Sequence, residues 1–183
     1  MWSSEVTNMI ITGIWETLYM TLVSTLVGYV IGLPMGIILT VSDKDGIKPN
    51  AVLYKILDVI ANIVRSVPFI ILLVLLIPFT RLVVGKSYGS TATIVPLVNA
   101  AVQYIARMVE SSLKEVDAGV IEAARSMGAS NFTIITKVML VEARTSLLVG
   151  ATITLGTILG YSAMSGAVGG GGLGAIAIRY GYT

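Results

Sequence analysis

Three long stretches without a charged side chain constrain this chain more than any other feature. They are residues 17–42, 87–106 and 145–178, and the last runs for 34 residues. About 20 consecutive apolar residues cross a bilayer as a helix, so each stretch is long enough to span a membrane. With 55% hydrophobic and 12% charged residues and a mean hydropathy of +0.89, the chain has too little polar surface for a soluble domain. The sequence predicts an all-α integral membrane protein.

The hydrophobic pattern predicts four spans. Residues 1–16 form an external N-terminal segment, and the spans cover about 17–42, 56–80, 87–106 and 147–164. The second is the least regular, because an amphipathic stretch leads into Arg65-Ser66-Val67-Pro68 and then an apolar run from Phe69. We therefore predict one long or broken helix there. Gly28, Gly32 and Gly36 recur at intervals of four in the first span and predict a face on which another helix packs closely.

Arg65 has two interpretations. An arginine near membrane depth faces a partner or an aqueous cavity, so it is a candidate for the translocation path. Alternatively, its side chain snorkels to the cytoplasmic interface.

Residues 107–144 form a polar island between apolar stretches and carry ten of the charged residues. We expect the island to face water. Its sequence predicts helix, turn and helix, because Gly128 suits the left-handed conformation that ends a helix. Ser130 or Asn131 can then cap the next helix with a side-chain oxygen.

Each predicted helix of the island has one apolar side. Its members recur at helical spacing: Val116, Val120, Ala123, Ala124 and Met127 in the first, and Phe132, Ile135, Val138 and Met139 in the second. One hypothesis is that these sides insert into a groove on a soluble partner, with Glu122 and Arg125 at the rim. The alternative is a solvated loop.

Several chemistries are excluded or unsupported. The chain has no Cys and no His, which removes disulfides, thiolate nucleophiles, Ser-His catalysis and most transition-metal sites. Gly85-Lys86-Ser87 lacks the preceding glycine of a phosphate-binding loop, and Gly169, Gly171 and Gly174 match a dinucleotide fingerprint without a surrounding βαβ unit. The last three instead predict a re-entrant or tight external loop that lines the translocation path. A net charge of +2 gives no reason to expect nucleic acid.

The distribution of basic residues predicts the orientation. If the island is cytoplasmic, the inner segments hold eight Lys and Arg residues and the outer segments three, with Arg65 unassigned. The inner ones are Lys44, Lys48, Lys55, Arg107, Lys114, Arg125, Lys137 and Arg144, and the outer ones are Arg81, Lys86 and Arg179. The positive-inside rule then places the N-terminus outside.

The island resembles the cytoplasmic coupling loop of ABC importer permeases. The resemblance rests on Glu122-Ala123-Ala124, then Gly128, then Val138-Met139-Leu140, with Glu142-Ala143 following. Val141 stands where that family usually has a proline, which affects the bend after the coupling helix. Longer blocks resemble the permeases of methionine-type ABC importers: Trp15-Glu16-Thr17-Leu18, Arg65-Ser66-Val67-Pro68-Phe69-Ile70-Ile71-Leu72-Leu73, Ile105-Ala106-Arg107-Met108-Val109-Glu110 and Gly160-Tyr161-Ser162-Ala163-Met164-Ser165-Gly166-Ala167-Val168.

The resemblance implies a polytopic helical bundle of the type I ABC importer permease kind over residues 17–183, in a prokaryotic inner membrane. A fifth span normally follows in that family, so we expect one to be missing at the C-terminus. It also implies a homodimer of permeases, an extracellular or periplasmic substrate-binding protein, and an ABC ATPase subunit that docks on residues 107–144. ATP and Mg are then bound by that ATPase, and this chain holds no cofactor or metal and is not an enzyme.

The resemblance assigns ATPase coupling to Glu122, Ala123, Ala124, Arg125 and Gly128. The translocation path or gate is assigned to Tyr161, Ser162 and Met164, together with Arg65. The substrate implied is methionine, in D or L form, although another small polar solute fits the same signature. Two rivals belong to other classes: an ion-coupled secondary carrier would need an acidic residue inside a span, and a membrane enzyme would use the acidic cluster Glu110, Glu115, Asp117 and Glu122.

Overall fold

The computed structural model describes residues 4–181, and these are helical almost throughout with no strand among them. The helices are α1 (Ser4–Ser42), α2 (Ala51–Ser66), α3 (Phe69–Leu75), α4 (Ile77–Val84), α5 (Ser90–Lys114), α6 (Ala118–Ser126), α7 (Asn131–Thr133), α8 (Leu140–Glu142), α9 (Arg144–Ser165) and α10 (Gly172–Gly181). A π-helical segment, Ile134–Met139, joins α7 to α8, and a 3₁₀ turn, Gly166–Val168, follows α9. The all-α prediction is confirmed.

Three helical segments in the described part of the chain are long and apolar enough to cross a membrane: Ser4–Ser42, Ser90–Lys114 and Arg144–Val168. A fourth span is possible if α2 and α3 count together, although they are bent by 102°. Because proline disfavours helical backbone in the residue before it, α2 ends at Ser66 and α3 starts after Pro68. The predicted break in the helix is therefore confirmed, while a complete second span stays a prediction.

Two helices extend beyond the spans expected from the uncharged runs. Helix α1 begins at Ser4 and contains Glu5 and Glu16, while α5 continues past residue 106 as far as Lys114. The expected water-facing island therefore starts too early at residue 107, because its first eight residues belong to a packed helix. Glu16, Glu110 and Lys114 find partners within the protein, so a charged residue does not by itself end a helix.

The described residues fall into two compact units. Unit 1 comprises 4–28, 66–101 and 154–181, and unit 2 comprises 29–65 and 102–153. Unit 2 is packed through the glycines of α1: an added Cβ at Gly32 would lie 2.9 Å from Ile105 Cβ, and one at Gly36 would lie 2.7 Å from Val109 Cβ. All three glycines of the predicted face are buried, and the packing role of Gly32 and Gly36 is confirmed.

In unit 1 the glycine-rich segment after α9 packs against α1. The N–H of Gly172 donates to the Glu16 carboxylate at 2.6 Å, and the N–H of Leu173 donates to the Thr17 hydroxyl at 2.9 Å. These two groups supply acceptors at the N-terminus of α10, where backbone donors have no helical partner. Gly169 and Gly171 have φ of 83°, a left-handed conformation that favours glycine. The segment forms the tight turn expected from its sequence.

Candidate functional site

The centre of the polar island forms a helix–turn–helix, here called the coupling knuckle (residues 117–133). Asp117 caps α6 by accepting a hydrogen bond from the Gly119 N–H at 2.7 Å. Gly128 ends α6 with φ of +81°. The Ser130 hydroxyl then accepts from the Thr133 N–H at 3.2 Å and caps the next helical segment. The predicted turn at Gly128 and the cap at Ser130 are both confirmed.

The five predicted coupling residues lie together on α6 and the turn that follows it. Glu122, Ala123, Arg125 and Gly128 are exposed, whereas Ala124 is buried. Arg125 also donates a hydrogen bond to the Ile47 carbonyl oxygen at 3.3 Å. The knuckle thus presents a charged and apolar surface outward while Ala124 and Arg125 attach it to the rest of unit 2. The coupling role of these residues stays a prediction.

The apolar residues of the knuckle and of the π-helical segment after it face in two directions, which corrects the expectation of one apolar side for docking. Ala124, Ile134 and Met139 are buried inside the chain, whereas Met127 and Phe132 are 81% and 76% exposed. Helical spacing shows which residues share a face, but it does not show which neighbour covers that face. Only the exposed set, which also includes Val120 and Ala123, is available to a partner.

The chain continues in helical conformation through Val141, where the resembling family usually has a proline. The π-helical segment leads into α8, a turn at Ala143 follows, and α9 begins at Arg144. Unlike proline, valine has a backbone N–H and does not clash with the preceding turn of a helix. Valine at position 141 is therefore compatible with the helical backbone that the structure has there.

A buried ionic cluster at the end of α5 was missed by the sequence analysis. Glu110 is 4% exposed and accepts hydrogen bonds from Arg107 Nη1 at 2.7 Å, Lys114 Nζ at 2.8 Å and the Tyr54 hydroxyl at 3.1 Å. Arg107 also pairs with the Asp58 carboxylate. We call these residues, together with Asp43, the Glu110 cluster.

Asp43, the first residue after α1, completes the cluster. Its carboxylate lies 2.6 Å from Lys114 Nζ. The hydrogen bond from Lys114 holds the pKa of the Asp43 carboxyl below its usual value. Residues 107, 110 and 114 share one helical face, and this spacing is the sequence signal for the ion pairs within α5. Their partners on α2 and at the end of α1 are distant in sequence, so the local pattern does not indicate them.

A cavity of about 440 Å³ lies between the turn after α1 and the knuckle. Apolar side chains such as Ile47, Leu113 and Met139 line part of it. Charged residues of both signs contribute the rest, namely Asp43, Asp45, Lys114, Glu122 and Arg125. The knuckle is therefore not fully packed onto the turn, and the hydrogen bond from Arg125 to the Ile47 carbonyl connects the two.

The predicted path residues are only partly brought together. Tyr161 stacks on Phe69 with ring centroids 4.4 Å apart and an interplanar angle of 7°. Ser162 is buried and donates to the Leu159 carbonyl at 2.7 Å, while Met164 is 48% exposed. These residues belong to unit 1, whereas Arg65 is exposed at the end of α2 in unit 2. The Ser162 hydroxyl is thus bound within its own helix, and the path role of all four residues stays a prediction.

The acidic cluster considered for a membrane enzyme does not form one site. Glu110 is engaged with two cations and a tyrosine, and Asp117 caps α6. Within residues 4–181 no group of three or more Asp and Glu residues could hold a metal ion. The contacts of Glu110 and Asp117 are those of structural residues.

Comparisons with known proteins agree with this architecture. Residues 32–182 match the family model described as binding-protein-dependent transport system inner membrane component. The probable D-methionine transport system permease protein MetI of Vibrio cholerae is 48% identical over 181 residues, which cover 99% of this chain and 80% of that protein. The D-methionine transport system permease protein MetI of Escherichia coli K12 is 55% identical over 158 residues, covering 86% and 73%.

Solved structures give the same result. An inward-facing conformation of the MetNI methionine ABC transporter matches with a TM-score of 0.96 and 54% identity, covering 99% of this chain and 84% of that one. An amino acid ABC transporter crystallised with histidines matches with a TM-score of 0.78 at 23% identity, which shows the common fold. This chain therefore belongs to the binding-protein-dependent transport system inner membrane components, within the methionine-type ABC importer permeases.

Proposed function

We propose that this chain forms the translocation path for methionine in an ATP-driven importer and couples that path to a separate ATPase subunit at the knuckle. The proposal is carried by one observation: a capped helix–turn–helix presents Glu122, Ala123, Met127 and Phe132 outward, in a chain that is 54% identical to a subunit of a methionine ABC transporter. A rigid pair of short helices with exposed apolar residues fits a groove on a soluble partner.

The knuckle is suited to transmit force because its local geometry is fixed. Asp117 and Ser130 satisfy backbone donors at the two helix starts, and Gly128 sets the angle between them. In the proposed cycle, two permease copies each bind one ATPase subunit, and ATP and Mg are bound by those partners. Closure of the ATPases moves the knuckles and switches the permease from inward-facing to outward-facing as a rigid-body change.

The orientation in the inner membrane follows from charge. Unit 2, which contains the knuckle and the turn after α1, carries nine of the twelve basic residues. Arg81, Lys86 and Arg179 belong to unit 1. The positive-inside rule then puts the knuckle in the cytoplasm and the N-terminus outside, where a substrate-binding protein delivers methionine.

The proposed path includes Tyr161 and Met164 of α9, with Arg65 at the break before α3. Tyr161 is partly exposed and stacks on Phe69, the first residue of α3. A shift of α3 therefore changes the position of Tyr161. Met164 is exposed and has a flexible side chain that adapts to a passing thioether substrate.

An ion-coupled carrier is less well supported. Such a carrier needs an acidic side chain in a span that can bind and release an ion, and both Glu16 and Glu110 lie within long helices. Each is already bound, Glu16 by the Gly172 N–H and Glu110 by Arg107 and Lys114. These contacts favour structural roles.

The test is uptake of labelled L- and D-methionine into proteoliposomes that contain this permease, its ATPase and its binding protein. We expect uptake that requires ATP and persists when ion gradients are collapsed. Glu122→Lys and Gly128→Pro should abolish recovery of the ATPase with the permease. Glu115→Lys is the matched control, because Glu115 is exposed but precedes the knuckle. Uptake driven by an ion gradient without ATP would refute the proposal.

A further inference from the structure

Glu110 has a combination of properties that its place in a transport permease does not require. It lies in a helix apolar enough to span a membrane, and its side chain is only 6% exposed. It nevertheless accepts three hydrogen bonds from two cations and one hydroxyl. Burial of a carboxylate costs free energy unless the group is ion-paired and hydrogen-bonded. At Glu110 the two cations and the hydroxyl offset that cost.

The cluster around Glu110 connects three segments of unit 2. Along it the charges alternate in sign: Asp43, Lys114, Glu110, Arg107 and Asp58. Asp43 follows α1, Asp58 and the hydrogen-bonding Tyr54 lie on α2, and the other three residues lie on α5. Glu110 is the only member of the cluster that contacts both cations through its own carboxylate, so its removal leaves Arg107 paired only with Asp58 and Lys114 paired only with Asp43.

The cluster lies directly before the knuckle in the chain and in space. Lys114 is the last residue of α5, and Asp117 caps α6 three residues later. The turn after α1 is bound at two points, by Lys114 through Asp43 and by Arg125 of the knuckle through the Ile47 carbonyl. The cavity of about 440 Å³ separates these two points.

We propose that Glu110 is a positioning residue that fixes the knuckle relative to α1 and α2, so that force on the knuckle moves unit 2 as one body. This inference rests on the proposed coupling function. Without the Glu110 carboxylate, no ion pair joins Lys114 and Asp43 to Arg107 and Asp58, and the knuckle can tilt into the cavity. ATP hydrolysis then continues while less of the motion reaches the path.

The first measurement reads position directly and does not depend on transport. The chain has no cysteine, so spin labels can be placed at Asp45→Cys in the turn and Ser126→Cys at the end of α6, both exposed sites. In the assembled transporter, with labelled permease diluted into unlabelled permease so that distances within one copy dominate, we expect a narrow distance between the two labels, and we expect Glu110→Gln to broaden it. Glu115→Gln, the same chemical change at an exposed site, should leave it narrow.

The second measurement is the number of ATP molecules hydrolysed per substrate imported. Glu110→Gln should raise this ratio at least about fivefold, the lower end of typical coupling between linked sites. Tyr54→Phe removes one hydrogen bond and leaves every charge in place, so it should fold normally and give a smaller rise. Glu110→Asp, which retains the charge, should restore the ratio in part.

The outcomes separate the two proposals. If wild-type protein shows no ATP-driven uptake, the proposed coupling function is refuted. The spin-label distance is measured independently of uptake and still tests whether Glu110 positions the knuckle. If Glu110→Gln lowers only thermal stability, and Glu110→Gln and Tyr54→Phe both keep the narrow distance and the wild-type ATP ratio, Glu110 is merely structural and the inference is overturned.

Discussion

The contact between α1 and α5 gives the sharpest stability prediction. An added Cβ at Gly36 would lie 2.6 Å from the Ala106 carbonyl oxygen and 2.7 Å from Val109 Cβ. Ordinary contacts between carbon atoms are about 3.5–4.0 Å, so Gly36→Ala must push the two helices apart. Both neighbours belong to a helix backbone or to a β-branched side chain, and neither can move aside by changing rotamer.

The magnitude follows from a matched pair of substitutions. Overpacking of this kind costs about 1–3 kcal/mol, while replacing glycine by alanine in a helix gains up to about 1 kcal/mol. Gly156→Ala in α9 is the control, because an added Cβ there meets nothing within 4 Å. The helical gain cancels between the two variants. Their difference should therefore be about 1–3 kcal/mol, or about 2–12 °C in Tm for a chain of this length.

The assay is thermal unfolding of the purified permease in one detergent, followed by circular dichroism. Val109→Ala provides a second control, because it removes the Cγ1 methyl group that would lie 2.9 Å from the added Cβ, although the Cβ of residue 109 stays. In the double variant with Gly36→Ala, part of the loss should be recovered, which gives a coupling energy of opposite sign. Equal Tm values for Gly36→Ala and Gly156→Ala would refute the close packing of α1 on α5.

Three further predictions concern the knuckle, the cluster and the glycine segment. Gly128→Ala places a side chain at φ of +81° and should destabilise the knuckle by about 1–2 kcal/mol, seen as faster hydrogen exchange at residues 126–130. Because Lys114 lowers the pKa of Asp43, the ion pair should stabilise the fold above pH about 4, and this stabilisation should disappear as the pH falls further. The Tm difference between wild type and Asp43→Asn should therefore vanish in acid. Glu16→Ala leaves the Gly172 N–H without its carboxylate acceptor and should cost about 1–3 kcal/mol in thermal unfolding, whereas Glu16→Gln, which retains an acceptor, should cost less.

The features that sequence predicted well are local ones. The turn at Gly128 and the cap at Ser130 follow from the conformations open to glycine and from the reach of a serine hydroxyl over three residues. The break before α3 follows from Pro68 in the same way. In each case the residue that causes the structure is adjacent to the structure it causes.

The features that sequence missed depend on distant partners. Glu110 and Tyr54 are 56 positions apart, and Arg107 and Asp58 are 49 apart. The local sequence pattern of α5 does not indicate that charged side chains from two other segments pack against it. The local pattern likewise does not show which residues other parts of the chain bury. Ala124 in the knuckle and Met139 in the π-helical segment after it are buried, although the sequence predicts that they face water or a partner.

Glu16 and Glu110 also show why an acidic residue in an apolar helix does not by itself indicate ion coupling. Both were set outside the predicted spans because only uncharged runs were counted, yet both lie in helices long enough to cross a membrane. Glu16 accepts a hydrogen bond from the Gly172 N–H at the start of α10, where the helix dipole favours a negative charge. Glu110 is balanced by Arg107 and Lys114. A carboxylate that is already satisfied by fixed donors of its own fold must break those bonds to bind an ion, so its role is decided by its partners and not by its depth.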